Sequence, residues 1–208
     1  MPEIILNNVG KRFRYEWIFK NMNVQFDGNN RYAVLGANGA GKSTLMKILS
    51  GHLSPTQGDI AFYNGSKKTI DEDVYKNISY AAPYIDLIEE YSLAELIAFH
   101  VRFKPFIQNF SGEEIVDILN LSHTADKEIR FFSSGMKQRV RVGLAVLSDT
   151  PILLLDEPTT NLDAKGIDWY IRLIEKYASP AERLCIVASN SPQDYGFCNV
   201  YLNIETFK

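Results

Sequence analysis

Short apolar runs alternate along most of this chain with segments whose apolar residues recur every three or four positions. The runs at 31–35, 78–81, 152–155, 184–188 and 200–204 predict β-strands, and the periodic segments between them predict helices. Strands that alternate with helices are typical of an α/β protein in which the sheet is largely parallel. We therefore predict an α/β fold.

The N-terminal stretch follows a different pattern. Runs at 3–9, 17–26 and 58–63 also predict strands, and the residues at 27–30 supply a turn after the second of them. We therefore predict that an antiparallel β layer flanks the main sheet near the N-terminus.

The middle of the chain is predicted to be helical. Ser92 can cap a helix whose apolar residues follow at helical spacing, and Ser111 with Glu114 three residues later forms a capping-box pattern. Ser133 or Ser134 begins another helix. These helices interrupt the alternation of strands and helices, which indicates an insertion.

The pattern predicts one domain with an inserted helical part. Residues 1–83 and 150–208 form the predicted α/β core with its antiparallel layer, and residues 84–149 form the predicted helical subdomain. After this subdomain, Asp163 can cap a helix that runs to about Tyr177.

Composition and charge narrow the class of protein. Of 208 residues, 46% are hydrophobic and 23% are charged, which excludes disordered, collagen-like and disulfide-knot chains. The net charge of −3 argues against nucleic acid as a partner. We find no secretory signal and no apolar stretch near the roughly 18 residues that span a bilayer. Cys185 and Cys198 have no metal or redox spacing, so we expect buried thiols in a soluble cytosolic protein.

The clearest chemical signal is the motif G-x-x-x-x-G-K-[ST] at 36–43, between a predicted strand and a predicted helix. Its glycines let backbone N–H groups approach phosphate oxygens, and the helix N-terminus adds unpaired donors. Lys42 supplies a positive charge to the β- and γ-phosphates, and Ser43 offers its hydroxyl to Mg²⁺. The predicted nucleotide-binding residues are Gly36, Ala37, Asn38, Gly39, Ala40, Gly41, Lys42, Ser43 and Thr44.

Two carboxylates follow the strand predicted at 152–155. Asp156 is positioned to hold Mg²⁺ through its coordination shell. Glu157, one residue further, can polarise a water for in-line attack on the γ-phosphate. An acidic turn after a core strand is common by itself, but the phosphate loop upstream favours the catalytic interpretation.

Two further segments complete an ordered series of motifs. They are Phe132-Ser133-Ser134-Gly135-Met136-Lys137-Gln138-Arg139 and Thr159-Thr160-Asn161-Leu162-Asp163. Phosphate loop, signature, Walker B strand and D-loop follow one another as they do in the ATP-binding cassette (ABC) ATPases, and the chain resembles this family over essentially its whole length. The resemblance implies a P-loop NTPase core with an antiparallel β layer at the N-terminal side, an inserted α-helical subdomain, and ATP and Mg²⁺ as ligands.

The resemblance also implies a head-to-tail dimer with two ATP molecules between the subunits. Each ATP would contact the phosphate loop of one chain and the signature of the other, with Asp163 near the dimer seam. The implied signature contacts are Ser133, Ser134, Gly135 and Met136. An early aromatic would stack on adenine, for which Phe13 is at the matching position and Tyr15 is the alternative.

Two positions depart from the family pattern. Pro83 stands where the family has a glutamine that contacts the metal and the attacking water, and proline has neither a side-chain oxygen nor an N–H. A one-residue shift offers Tyr84, which we expect to be no better a substitute. Asn190 stands where the family has a histidine that bonds the γ-phosphate, and its amide can donate but cannot become positive.

These departures predict slow hydrolysis with nucleotide binding retained. Losing one contact that stabilises the transition state costs roughly 10²–10³ in rate. His52, His100 and His123 lie far from residue 190 in the sequence, so none obviously replaces the missing histidine. Glu157 remains as the predicted base, and Asn190 is the second candidate catalytic residue.

We therefore expect the ATPase subunit of an ABC transporter, held at the inner face of the membrane by a separate transmembrane permease. The expected docking surface is the groove near 83–90 and the inserted helices. The alternative is a nucleotide-gated regulatory cassette that pairs with a catalytically complete one. A soluble ABC ATPase of translation or DNA repair is disfavoured by the single cassette and the acidic balance.

Overall fold

The computed structural model describes residues 1–70, 73–178 and 183–208. Its strands are β1 (Pro2–Phe13), β2 (Glu16–Asp27), β3 (Arg31–Leu35), β4 (Gln57–Asn64), β5 (Lys67–Lys68), β6 (Ile78–Ala81), β7 (Ile152–Asp156), β8 (Leu184–Ala188) and β9 (Val200–Asn203). Its α-helices are α1 (Lys42–Leu49), α2 (Val74–Asn77), α3 (Leu93–His100), α4 (Gly112–Ile118), α5 (Ser134–Leu147), α6 (Ala164–Tyr177) and α7 (Pro192–Tyr195).

Four strands form an antiparallel sheet in the order β2-β1-β4-β5. Strand β1 pairs along one edge with β2, where Glu3 stands opposite Asp27, and along its other edge with β4. Ile4 and Leu6 of β1 are buried, whereas Ile5 between them is only partly covered. This alternation is typical of a sheet with one face on the core. The sheet confirms the predicted antiparallel layer.

Five strands form a parallel sheet in the order β6-β7-β8-β3-β9. Ala188 of β8 stands between Val34 of β3 and Asp156 of β7. Because every neighbouring pair in this sheet is parallel, the carboxyl ends of the strands share one edge. The arrangement confirms the predicted α/β fold.

Strand β7 separates two apolar cores. Ile152 and Leu154 pack with the antiparallel sheet and α1, whereas Leu153 and Leu155 pack with helices α3 to α6. All four side chains are buried. Burial on both faces explains why the sequence of this strand is a continuous apolar run.

Side-chain caps fix the starts of four helices. Ser92 and Ser111 form capping boxes with the glutamate three residues later, at the starts of α3 and α4. Ser133 caps α5, and Asp163 caps α6. Each such cap typically contributes about 1 kcal/mol, and together they explain why these helices begin where the sequence predicts.

Helices α3, α4 and α5 all lie between β6 and β7 in the chain. They fall within 84–149, the range predicted for the helical subdomain, and the division of the domain at these boundaries stays a prediction. Within the described ranges, no helix combines the length and the apolar character needed to cross a bilayer.

Candidate active site

The loops that follow β3, β6, β7 and β8 emerge at one edge of the parallel sheet. In open α/β sheets, ligands bind outside the carboxyl ends of the strands. This edge carries the phosphate loop at 36–43, the acidic pair after β7, and the segments with Tyr84 and Asn190. Residues far apart in the sequence are therefore neighbours here.

The phosphate loop turns the chain from β3 into α1. Gly41 begins the helix in the left-handed conformation, with a φ of 107°, and a Cβ there would lie 2.4 Å from Cγ2 of Ile18. Glycine alone suits both conditions. The Leu45 N–H donates to the Gly41 carbonyl at 2.9 Å, so the amides of residues 42–44 precede the first intrahelical bond. Such a helix end attracts phosphate.

Lys42 is buried at the start of α1. Its ammonium donates to the Gly36 carbonyl at 2.8 Å, which keeps the positive charge over the loop. A buried charge is favourable when an opposite charge is paired with it. The geometry therefore suits an anion bound in the loop.

Asp156, at the end of β7, is 1% exposed. Burial raises the pKa of its carboxyl, and the nearby hydroxyls of Ser43 and Tyr84 oppose this shift. Among the described residues, Oδ1 of Asp156 is buried without a hydrogen-bond partner. Buried polar atoms normally have one. A carboxylate and a serine hydroxyl are oxygen ligands of the kind that Mg²⁺ takes, so Asp156 and Ser43 fit a magnesium site.

Glu157 adopts a left-handed backbone conformation, with a φ of 46°. Its N–H donates to the Ala188 carbonyl at 2.8 Å, which holds it against the end of β8. Left-handed non-glycine residues cost about 1–3 kcal/mol and cluster at active sites. Burial raises the pKa of the Glu157 carboxyl, while a hydrogen bond from the Ser189 hydroxyl opposes the shift.

The Ser189 hydroxyl lies between two carboxylates. It is 3.0 Å from Oε2 of Glu157 and 2.6 Å from Oδ2 of Asp194, which is buried and also contacts the Thr159 hydroxyl. A hydroxyl has only one proton to donate. Burial raises the pKa of Asp194 as well, so this cluster retains protons to higher pH than exposed carboxylates do.

Tyr84 reaches the carboxylate of Asp156. Its hydroxyl donates to Oδ2 of Asp156 at 2.9 Å, and the ammonium of Lys47 lies 4.2 Å from the centre of its ring. The Tyr80 hydroxyl contacts the Tyr84 hydroxyl. The sequence predicted no useful substitute at residue 84 and did not indicate this contact. The contact depends on the pairing of β6 with β7, because the residues that follow two neighbouring parallel strands lie side by side, and no sequence pattern indicated that pairing.

Asn190 reaches the phosphate loop from the end of β8. Its amide nitrogen donates to the side-chain oxygen of Asn38 at 2.8 Å. Two histidines lie in other parts of the fold. His100, in α3, is 2.8 Å from the Ser148 hydroxyl, and burial lowers its pKa to about 4. His52 follows the C-terminal end of α1.

The signature and D-loop segments contact each other in a separate cleft. The hydroxyl of Ser133 accepts from the Met136 N–H at 3.2 Å, and Ser134 is the first residue of α5. A Cβ on Gly135 would lie 2.9 Å from the Asn161 carbonyl oxygen of the D-loop. The cleft, about 470 Å³ in volume, is lined by Asn120, Leu121, Ser133, Ser134, Gly135, Met136, Arg139, Asn161, Leu162 and Asp163.

Phe13 ends β1 and is 49% exposed. The Lys11 ammonium lies 5.2 Å from the centre of its ring. Tyr15, in the turn that follows, is 96% exposed. Stacking of Phe13 on adenine stays a prediction.

Comparisons with known proteins agree with this geometry. The family described as ABC transporter matches residues 19–160, more than half of the chain. The lipoprotein-releasing system ATP-binding protein LolD of Blochmanniella floridana is 30% identical over 188 residues, which cover 84% of this chain and 80% of LolD. The ABC transporter ATP-binding protein YcbN of Bacillus subtilis (strain 168) is 30% identical over 161 residues, which cover 77% of this chain.

The chain spans 52% of YcbN, about half the length of that relative. Among solved structures, the dimeric structure of MJ0796, a bacterial ABC transporter cassette, matches with a TM-score of 0.80 at 25% identity. That match covers 97% of this chain and 95% of the cassette. The fold is therefore that of an ABC cassette.

Proposed function

The chain belongs to the ABC transporter family as a nucleotide-binding domain, and we propose that it binds and slowly hydrolyses ATP to power a transporter whose permease is a separate protein. The observation that carries the proposal is the meeting of the phosphate loop, Asp156 and Glu157 at one edge of the parallel sheet. Relatives named as ATP-binding proteins of transport systems support it.

The triphosphate of ATP binds in the phosphate loop. The buried ammonium of Lys42 and the amides that precede the first intrahelical bond of α1 support this assignment. Ser43 and Asp156 would hold Mg²⁺, and the support is Oδ1 of Asp156, which is buried without a hydrogen-bond partner among the described residues. At this position the ion would supply Lewis-acid stabilisation of the negative charge on the triphosphate. Phe13 stacks on the adenine in this proposal.

Hydrolysis begins with a water that attacks the γ-phosphorus opposite the ADP oxygen, so that one P–O bond forms as the other breaks. Glu157 accepts the proton of this water, and the Ser189 hydroxyl holds its carboxylate at 3.0 Å. Lys42 stabilises the charge on the transferred phosphoryl group. Because Pro83 brings no side-chain oxygen and Asn190 is neutral, turnover falls below about 1 s⁻¹, the lower end of the usual range.

A second ABC subunit completes each ATP site. Ser133, Ser134, Gly135 and Met136 meet the ATP of the partner, with Asp163 near the seam. The start of α5 and the adjacent cleft offer amide donors and room for an anion, which supports this role. The dimeric structure of MJ0796 is a further support.

The permease docks beside residues 83–90 and places the chain at the cytoplasmic face of the membrane. A cavity of about 230 Å³ between residues 85–88 and α3 supports this position. Phe103 at its rim is 64% exposed, so apolar surface is available for a partner there. The net charge of −3 supports a protein partner over nucleic acid.

The second candidate function is a nucleotide-gated regulatory cassette with little turnover, paired with a complete cassette. Pro83 and Asn190 favour it, because each replaces a polar group that the family uses on the γ-phosphate or the metal. In that function, ATP binding alone changes the conformation of the pair.

Two experiments test the proposal. Calorimetric titration with ATP and Mg²⁺ should detect binding by the wild-type chain and none by Lys42→Glu, which reverses the charge in the loop. Affinity purification of the tagged chain from detergent extracts should recover a polytopic membrane protein. Recovery of a second cassette without a membrane protein would support the regulatory function, and recovery of ribosomes or DNA would contradict both.

A further inference from the structure

A directed chain of hydrogen bonds ends at Asp156. A carboxylate only accepts, so the single phenol proton of Tyr84 is donated to Oδ2 of Asp156 at 2.9 Å. The Tyr80 hydroxyl contacts the Tyr84 hydroxyl and must then be the donor to it. The chain therefore runs from Tyr80 through Tyr84 to Asp156.

The ring of Tyr84 is held from two sides. The ammonium of Lys47, on the helix that begins at the phosphate loop, lies 4.2 Å from the ring centre, within the range of an attractive cation–π contact. The Tyr80 ring meets it edge-on, with the ring centres 6.4 Å apart. Tyr84 thus connects the segment after β6 with α1 and with the end of β7.

The two oxygens of the Asp156 carboxylate differ in their surroundings. Oδ2 accepts from Tyr84, whereas Oδ1 is buried and has no hydrogen-bond partner in the part of the chain that the structure describes. The bond to Oδ2 restricts rotation of the carboxylate, so Oδ1 is the oxygen left without a partner among the described residues. An unpaired buried oxygen is costly, and the shell of a cation would satisfy it.

We infer that Tyr84 is a positioning residue of the magnesium site, whose hydroxyl orients Asp156 so that Mg²⁺ strengthens ATP binding. The inference rests on the proposed function, because it requires that ATP and Mg²⁺ bind at this edge of the sheet. Partners that orient metal ligands typically contribute 10–100-fold in metal affinity. Tyr84 therefore supplies a polar contact to the site beside Pro83, which has none.

The test is calorimetric titration of the full chain with ATP, once in excess Mg²⁺ and once in EDTA. The measured quantity is the dissociation constant in EDTA divided by the dissociation constant in excess Mg²⁺. This ratio reports how far the cation strengthens ATP binding. Tyr84→Phe removes the hydroxyl and keeps the ring beside Lys47. We expect this variant to reduce the ratio about tenfold while its affinity in EDTA stays at the wild-type value.

Two variants serve as controls. Tyr75→Phe removes a hydroxyl from an exposed side chain on α2 and should leave both affinities unchanged. Tyr80→Phe removes only the outer donor and should reduce the ratio less than Tyr84→Phe does.

An unchanged ratio in Tyr84→Phe would overturn the inference. ATP affinities that fall equally in Mg²⁺ and in EDTA would also overturn it, because a merely structural role of Tyr84 would lower both affinities. A wild-type chain that binds ATP with no help from Mg²⁺ would also overturn it and leave ATP binding standing. A wild-type chain that binds no ATP would overturn the proposed function itself.

Discussion

The side-chain amide of Asn190 donates to the side-chain oxygen of Asn38 at 2.8 Å, so the loop after β8 touches the phosphate loop. Residue 190 is therefore positioned to reach a γ-phosphate bound in that loop. Asparagine is shorter than histidine and stays neutral, so it offers one donor and no positive charge. The contact places residue 190 beside the phosphate loop. In the proposed function, a neutral side chain at this position contributes little to hydrolysis.

Asn190→His should raise turnover. An imidazole at this position reaches further and can carry a positive charge toward the γ-phosphate, and a contact of this kind is worth roughly 10²–10³ in rate. Because Pro83 remains, we expect only part of this gain in rate, an increase in turnover of about tenfold. Steady-state ATPase assays with Mg²⁺ measure it. Asn190→Ala is the control and should stay at or below the wild-type rate; a histidine variant no faster than the alanine variant would contradict the prediction.

Glu157→Gln should abolish hydrolysis and retain ATP. Glutamine keeps the size of the side chain but cannot accept the proton of the attacking water, and loss of a general base costs about 10²–10⁴ in rate. The trapped ATP should also stabilise the dimer, which size-exclusion chromatography with light scattering detects. Glu175→Gln, an exposed change on α6, is the matched control and should hydrolyse like the wild type. An unchanged rate in Glu157→Gln would remove Glu157 from the catalytic role.

Ser189→Ala should move the acidic limb of the pH–rate profile to higher pH. Burial raises the pKa of Glu157, and the hydrogen bond from Ser189 partly offsets this, so removing the hydroxyl raises the pKa further. The base must be ionised to act, and a higher pKa delays its ionisation as the pH rises.

At pH values above the acidic limbs of both proteins, the rate of Ser189→Ala should be only about fivefold lower than that of the wild type, since one hydrogen bond contributes about 1 kcal/mol. Profiles of kcat/KM from pH 5 to 9 for the wild type and the variant distinguish the two effects. A limb that stays in place would mean that the Ser189 hydroxyl donates to Asp194 and leaves Glu157 unaffected.

Local signals made most of the fold predictable. The serine caps of α3 and α4 depend on a glutamate three residues away, so the sequence contains both partners of each contact. The continuous apolar runs of β7 and β8 reflect burial on both faces of the sheet. This burial can be predicted from the sequence of each strand alone. The phosphate loop could also be predicted from a local pattern, because its strand, glycines, lysine and helix are consecutive in the sequence.

The site depends in part on contacts that no local pattern contains. The bond between Tyr84 and Asp156 joins residues 72 positions apart, and it exists because β6 and β7 are neighbours in the sheet. The cluster of Ser189 with Glu157 and Asp194 likewise depends on the pairing of β7 with β8. Strand order within a sheet is a tertiary property, so these partners became visible only in the structure.

Gly135→Ala should lower the free energy of unfolding, although alanine normally favours a helix over glycine. The added Cβ would lie 2.9 Å from the carbonyl oxygen of Asn161, a backbone atom that cannot rotate away, so the helix and the D-loop must separate. Overpacking of this kind costs about 1–3 kcal/mol, more than the gain of about 1 kcal/mol in helix propensity. Gly112→Ala is the matched control at the start of α4, because its Cβ would meet Cγ2 of Ile97 at an ordinary 3.6 Å. Urea unfolding should show a midpoint below that of the wild type for Gly135→Ala alone. Equal midpoints for the two variants would mean that the D-loop moves away from the added Cβ without loss of stability.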